Sequence, residues 1–88
     1  MKLILTIIND NDNEAVSQAL TGAGLRVTRI SSTGGFMRRG SSTLLIGVED
    51  GKVDEAIQLI KNFTTTPTDP TLHRATLFVL PVAGYTQI

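Results

Sequence analysis

The chain of 88 residues has no cysteine and no tryptophan, and its formal net charge at pH 7 is zero. The lack of cysteine excludes disulfides, thiolate metal sites and cysteine nucleophiles, and it fits a reducing cytoplasm. Eight basic residues balance eight acidic ones, so no overall field favours nucleic-acid polymers or an anionic membrane as partners. The opening apolar run, residues 3–8, is too short for a signal sequence or a membrane span. We therefore expect a cytoplasmic protein.

Side chains suited to catalysis are also scarce. His73 is the only histidine, and a lone histidine at the predicted start of a strand is seldom catalytic. The acidic residues cluster at predicted helix N-termini, where the helix dipole favours them. No glycine-rich loop carries the lysine and hydroxyl pattern that binds a triphosphate. We expect a protein that is not an enzyme and that has no metal site and no cofactor.

Apolar patterning predicts the element order β-α-β-β-α-β. Strands are predicted at 3–8, 25–33, 42–48 and 74–82, with a helix after the first strand and another after the third. Asn11 or Asp12 should cap the first helix, and Gly24 should end it. The predicted core face of that helix consists of Ala15, Val16, Ala19, Leu20 and Ala23, and that of the second helix consists of Val53, Ala56, Ile57, Ile60 and Phe63.

This order predicts one ferredoxin-like domain of the α+β class over residues 1–88, with both helices on one face of an antiparallel sheet. The first, third and fourth strands are apolar on both faces. The sheet face without helices must therefore be covered, and in a chain this short another subunit is the expected cover. The second strand differs, because Arg26, Thr28 and Ile30 alternate onto one largely polar face.

The central stretch STGGFMRRGSSTLLIGVED, residues 32–50, combines groups that suit a nucleotide. Gly34 and Gly35 permit close backbone approach, Phe36 offers a π face, and Met37 is an adaptable apolar neighbour. The cationic groups that could pair with phosphate are Arg26, Arg38 and Arg39. A plain hairpin with a solvated loop accounts for the same residues equally well. Gly47 adds an indication of close approach, since it lies within an apolar strand.

Three stretches of the sequence are similar to those of a known family: MKLILTIINDND, LRVTRISSTGGFMRRGSSTLLIGVEDGKVDEAIQLIK and ATLFVLPV. The chain resembles the PII-like cyclic-di-AMP receptor family, the DarA or PstA type, over nearly its whole length. The central pattern T-G-G-F-(L/M)-R-x-G, followed by an apolar strand and G-V-(E/N)-D-x-(K/R)-V-D-E, is particular to that family. The resemblance implies a homotrimer of ferredoxin-like subunits that binds one cyclic dinucleotide at each subunit interface.

The resemblance also implies which residues contact the ligand. Arg26 and Thr28 would lie on the second strand of the pocket, with Arg26 near phosphate or ribose. Phe36 and Met37 would flank an adenine. The full set of ligand-binding residues that the resemblance implies is Arg26, Thr28, Gly35, Phe36, Met37, Ser41, Gly47, Phe78 and Gln87. Bound ligand would order the 34–42 loop and so alter the surface that a downstream protein recognises.

The chain departs from the family pattern at two places. Ser41 stands where the family has asparagine, and its single hydroxyl cannot bond a base edge bidentately. The segment before the last strand, NFTTTPTDPTLHR, is shorter than the family's long loop, and His73 and Arg74 replace a Gly-Gly pair. Two other functions stay open on the sequence: a PII-like sensor for another adenine nucleotide or small anion, and a structural trimer without a ligand.

Overall fold

A computed structural model describes residues 1–30, 40–66, 73–84, 86 and 88 of the chain. The strands are β1 (Lys2–Asn9), β2 (Arg26–Ile30), β3 (Ser41–Val48) and β4 (Ala75–Pro81), and the helices are α1 (Asn13–Gly22) and α2 (Val53–Phe63). Short 3₁₀ turns, Asp10–Asp12 and Asp50–Lys52, precede the two helices. The four strands form one antiparallel sheet in the order β2-β3-β1-β4. The predicted α+β class and ferredoxin-like β-α-β-β-α-β order are confirmed.

The core lies between the helices and one face of this sheet. Alternate residues of β1 and β3 point into it because successive side chains of a strand face opposite ways. The helices contribute Val16 and Leu20 from α1 and Ala56 and Ile60 from α2. The strand residues buried with them are Ile4, Ile8, Leu44, Ile46 and Val48. The predicted pairing of the second and third strands is also confirmed, with Arg26 opposite Gly47.

Two predicted core residues are wrong. Ala15 is exposed, because the buried stripe of α1 is centred on Val16 and Leu20 and leaves Ala15 outside its edge. Phe63 is 47% exposed at the end of α2, beyond the last buried residue of that helix, Ile60. Leu59, which the spacing did not select, packs partly buried against the core.

The predicted N-cap of α1 is confirmed in position but not in its capping hydrogen bond. Asp12 occupies the N-cap position, but its side chain makes no capping hydrogen bond. Its carboxylate instead accepts from the Thr65 backbone N–H at 3.1 Å and from the Thr65 hydroxyl at 2.6 Å. Gly24 follows the helix with a φ of +83°, a left-handed conformation that glycine adopts without strain, so this predicted end is confirmed.

Candidate functional site

The sheet face opposite the helices divides into rows across the four strands. Cross-strand pairing aligns Arg26, Gly47, Leu3 and Leu80 in one row, and Thr28, Leu45, Leu5 and Phe78 in the next. The apolar residues of this face are only partly covered: Phe78 is 52% exposed and Leu80 is 44% exposed. In these two rows, β2 contributes polar side chains, and the other three strands contribute glycine, leucine or phenylalanine.

A groove of about 510 Å³ lies at the β2 side of this face. We call it the β2–β3 groove; its lining consists of Met1, Lys2, Leu3, Arg26, Thr28, Leu45, Gly47 and Val82. Its volume is in the range of pockets that hold small molecules. The structure thus brings together three residues that the sequence predicted for the site: Arg26, Thr28 and Gly47.

Arg26 and Thr28 reach the groove from the same face of β2, two positions apart. Both side chains are exposed. Arg26 offers a planar guanidinium that can donate two parallel hydrogen bonds to phosphate, and Thr28 offers a hydroxyl that can donate or accept. Leu3 and Leu45 supply apolar surface beside them. This combination can hold an anion that carries a flat apolar ring.

Gly47 keeps part of the groove open. A Cβ built on Gly47 would lie 3.0 Å from the terminal methyl carbon of Met1. Gly47 does not have a positive φ, so the backbone alone does not require glycine there. A side chain at this position would therefore compete with Met1 for the space above the sheet.

The start of the chain lies at the edge of the β2–β3 groove. The Met1 ammonium is 2.9 Å from the Asp50 carboxylate. The hydrogen bond from this ammonium, aided by its charge, lowers the pKa of Asp50 below its ordinary value. Both groups are exposed, so the pair orients the Met1 backbone more than it stabilises the fold.

Ser41 lies on the same sheet face but outside the groove. It pairs with Asn9 at the far end of β3, about 20 Å from Gly47 at the rise of a strand. Phe78 also shares the face, but β3 and β1 separate its strand from Thr28, which places it about 14 Å away. The other predicted site residues, Gly35, Phe36, Met37 and Gln87, lie outside the described residues.

A polar cluster lies at the Ser41 end of the sheet. The Asp10 carboxylate accepts a hydrogen bond from the Ser42 hydroxyl and lies 3.9 Å from the Arg29 guanidinium. The Asp10 backbone N–H donates to the Gly40 carbonyl at 2.8 Å. Arg29 lies one residue before the end of β2, Gly40 directly precedes β3, and Ser42 is the second residue of β3. Asp10, just after β1, therefore connects the end of β2 with Gly40 and Ser42, two residues of the predicted 34–42 loop.

Several groove residues were not predicted from the sequence, namely Met1, Lys2, Leu3, Leu45 and Val82. Alternation along β1 and β3 places Leu3 and Leu45 on the helix-free face, so that pattern could have identified them. Met1 and Val82 meet through a backbone hydrogen bond of 3.2 Å between distant parts of the chain. No local pattern indicates such a contact.

The described residues hold no candidate metal site and no candidate membrane-spanning helix. Within 1–30, 40–66, 73–84, 86 and 88, no group of three or more His, Cys, Asp or Glu residues could hold a metal ion. In the same part of the chain, no helix is long and apolar enough to cross a membrane.

Comparisons with known proteins agree with the sequence pattern. A family model described as "Cyclic-di-AMP receptor" matches residues 1–69, a range that holds Arg26, Thr28 and Gly47. The fold is similar to a crystal structure of a functionally unknown protein from Pediococcus pentosaceus ATCC 25745, with a TM-score of 0.80. The two chains share 32% sequence identity, and the match covers 99% of this chain and 96% of that one.

Proposed function

The chain belongs to the cyclic-di-AMP receptor family, and on that premise we propose that it is a non-enzymatic receptor that binds cyclic di-AMP between the subunits of a homotrimer. The observation that carries this proposal is the convergence of Arg26, Thr28 and Gly47 on one groove. All three lie in the matched range 1–69. Arg26 and Thr28 belong to β2 and Gly47 to β3, yet all three lie on the helix-free face, in two neighbouring rows of cross-strand pairs.

The chemistry of the β2–β3 groove fits the two halves of this ligand. A cyclic dinucleotide carries anionic phosphodiesters and planar bases whose faces are apolar and whose edges form hydrogen bonds. Arg26 supplies a cation and a forked donor for a phosphate. Leu3 and Leu45 supply apolar surface for a ring, and Gly47 leaves room above the sheet. Thr28 supplies a hydroxyl for a ribose or base edge.

The exposed apolar face supports the trimer. Leu5, Phe78 and Leu80 lie on the helix-free face, and the last two are about half exposed in a single chain. Burying such side chains is favourable by about 25 cal/mol for each Å² removed from water. In the proposed trimer this face packs against neighbouring copies. Within one chain, Phe78 is too far from the β2–β3 groove to contact a ligand there. In the proposed trimer, Phe78 of a neighbouring copy would approach this groove instead.

Calorimetric titration of the whole chain with cyclic di-AMP, ATP and AMP tests the proposed ligand. We expect heat and saturation at one ligand per subunit with cyclic di-AMP, and much weaker binding of the other two. Preferred binding of ATP or AMP would identify the chain as a sensor for a different adenine nucleotide. No heat with any of the three would contradict a nucleotide receptor and favour a structural assembly.

Light scattering of the same sample tests the proposed assembly. The expected mass is three times the 9.4 kDa of one chain. A monomer that still bound cyclic di-AMP would contradict the interface site while leaving the ligand assignment in place. The two measurements therefore separate the ligand from the assembly.

A further inference from the structure

A second groove lies on the opposite side of the molecule, between the end of α2 and the start of β4. It encloses about 330 Å³, and we call it the α2–β4 groove. Its floor is apolar and is formed by Ile57, Ile60, Ala75 and Leu77. Val79 continues this strip along the same face of β4 and is 42% exposed. The floor therefore offers a continuous apolar surface at an open edge of the core.

The rim of the α2–β4 groove is cationic. Lys61 and His73 are exposed, Arg74 is half-buried, and none of the described residues that line the groove is acidic. The C-terminus of α2 lies at this rim and carries about −0.5 of an elementary charge, which is smaller than the combined charge of Lys61 and Arg74. The described part of the rim is thus positive even after the helix dipole is counted.

The walls of this groove are held in place by the fold. The Arg74 guanidinium donates to the Lys61 carbonyl at 3.5 Å, and the Thr64 hydroxyl donates to the same carbonyl at 3.2 Å. Asp12, only 5% exposed, fixes Thr65 through two hydrogen bonds. A preformed surface binds with less loss of conformational entropy than a surface that must be ordered.

We infer that the α2–β4 groove is a docking site for an acidic segment of a partner protein that carries an aliphatic anchor. The apolar floor takes the aliphatic side chain, and Lys61 and Arg74 pair with neighbouring carboxylates. The occupant is a protein segment rather than a single-stranded nucleic acid because the described floor is aliphatic and offers no aromatic ring on which a base could stack. The groove lies on the helix side of the sheet, so it is open to a partner when the β2–β3 groove holds a ligand.

Short fluorescein-labelled peptides test this inference by anisotropy against the whole chain. One set alternates Glu or Asp with Leu or Ile, a second replaces the acidic residues by Lys, and a third replaces the aliphatic residues by Ser. We expect the acidic-aliphatic set to bind at least about tenfold more tightly than either other set, with an affinity that falls as salt is added. Equal binding of the acidic and basic sets would overturn the inference.

Charge reversal locates the binding surface. Lys61→Glu should weaken the acidic-aliphatic peptides by about tenfold or more, whereas Lys52→Glu, the same change at the other end of α2, should leave their affinity unchanged. Val79→Ser should weaken the peptides and test the apolar strip. Arg26→Ala should leave them unaffected, so failure here is distinct from failure of the nucleotide site.

Other occupants give different results. If a second copy of the chain fills the groove, Lys61→Glu will lower the mass measured by light scattering and the peptides will not bind to the wild-type chain. A single-stranded oligonucleotide that binds as tightly as the acidic-aliphatic peptides would identify the rim as a phosphate site. Either result overturns the inference.

Discussion

Arg26 is the residue on which the proposed nucleotide site most depends. It is the cationic side chain of β2 that faces the β2–β3 groove, whereas Arg29 of the same strand points to the other sheet face, where it lies near Asp10. We expect Arg26→Ala to weaken cyclic-di-AMP binding by about 1.5–3 kcal/mol, because a charge-assisted bond to phosphate is lost. Calorimetric titration measures this change.

Arg29→Ala is the matched control for Arg26→Ala. Its guanidinium lies 3.9 Å from Asp10 in an exposed pair, and such pairs contribute less than about 1 kcal/mol. We expect at most a few-fold change in affinity. Equal losses in the two variants would mean that Arg26 acts through general charge and does not contact the ligand.

A substitution at Gly47 tests whether open space in the groove is needed for ligand binding, independently of the stability of the sheet. A valine at this position suits a strand, but its side chain would extend towards Met1 and fill the space above the sheet. We expect Gly47→Val to keep or raise the denaturation midpoint and to lower cyclic-di-AMP affinity by at least about tenfold, as for a blocked pocket. Unchanged affinity in a folded variant would place the ligand elsewhere.

Thr6 provides a test of the core that is independent of the ligand. Its side chain is fully buried, and its hydroxyl has no hydrogen-bond partner among the described residues. An unpaired buried hydroxyl is costly, so we expect the nearly isosteric Thr6→Val to raise the free energy of unfolding by about 1 kcal/mol. Thr64→Val is the control, because its hydroxyl donates to the Lys61 carbonyl and its loss should lower stability by about the same amount. Urea denaturation measures both.

At the scale of elements, the link between the first turn and the end of α2 is a pair of hydrogen bonds from Thr65 to the buried Asp12 carboxylate. We expect Asp12→Ala to cost about 1.5–3 kcal/mol of unfolding free energy, since bonds to a charged group are lost. Thr65→Val should cost less, and the double variant should be less destabilised than the sum of the two.

Glu14→Ala serves as the control for Asp12. Glu14 is exposed and accepts from Gln18 on the same helix, an interaction that contributes roughly 0.2–0.5 kcal/mol. If Asp12→Ala were no more harmful than Glu14→Ala, the link between the two elements would not stabilise the fold.

Two predictions about single elements show how much of the fold could be predicted from the sequence alone. The alternation in RVTRI predicts that Arg26 and Thr28 share one face of the strand, and the structure confirms this. The prediction succeeded because side chains of any strand alternate between its faces, so neighbouring residues alone carry the information. The predicted side-chain cap at Asp12 failed for the opposite reason. Its partner, Thr65, is 53 residues away, and a local capping rule carries no information about a distant donor.

The same distinction holds for the candidate site. Arg26 and Gly47 could be singled out as candidates from their own strands, because one is a cation and the other a glycine inside an apolar strand. Thr28 became a candidate only through the family resemblance. The place of Met1 above Gly47 depends on how the edges of the sheet bring distant segments together. The long family motif supplied the ligand class, which no single strand pattern could indicate.

At the scale of the whole molecule, the helix-free face is the surface on which the proposed trimer depends. Leu5 lies near its centre, between Leu45 and Phe78. We expect Leu5→Glu and Phe78→Glu to convert the proposed trimer to monomers, because a charge buried at an apolar interface costs several kcal/mol. Light scattering gives the mass, and circular dichroism should show an intact fold, since neither side chain belongs to the core cluster.

Phe63→Glu is the control. It tests whether any charge placed on an exposed aromatic residue disrupts the assembly, or only one placed on the helix-free face. Phe63 is 47% exposed and Phe78 is 52% exposed, but Phe63 lies at the end of α2, away from the helix-free face. The control should stay trimeric and bind cyclic di-AMP normally. Leu5→Glu should lose mass and affinity together, because a groove completed by a second copy is incomplete in a monomer. A monomeric Leu5→Glu variant with full affinity would mean that one chain holds the entire site.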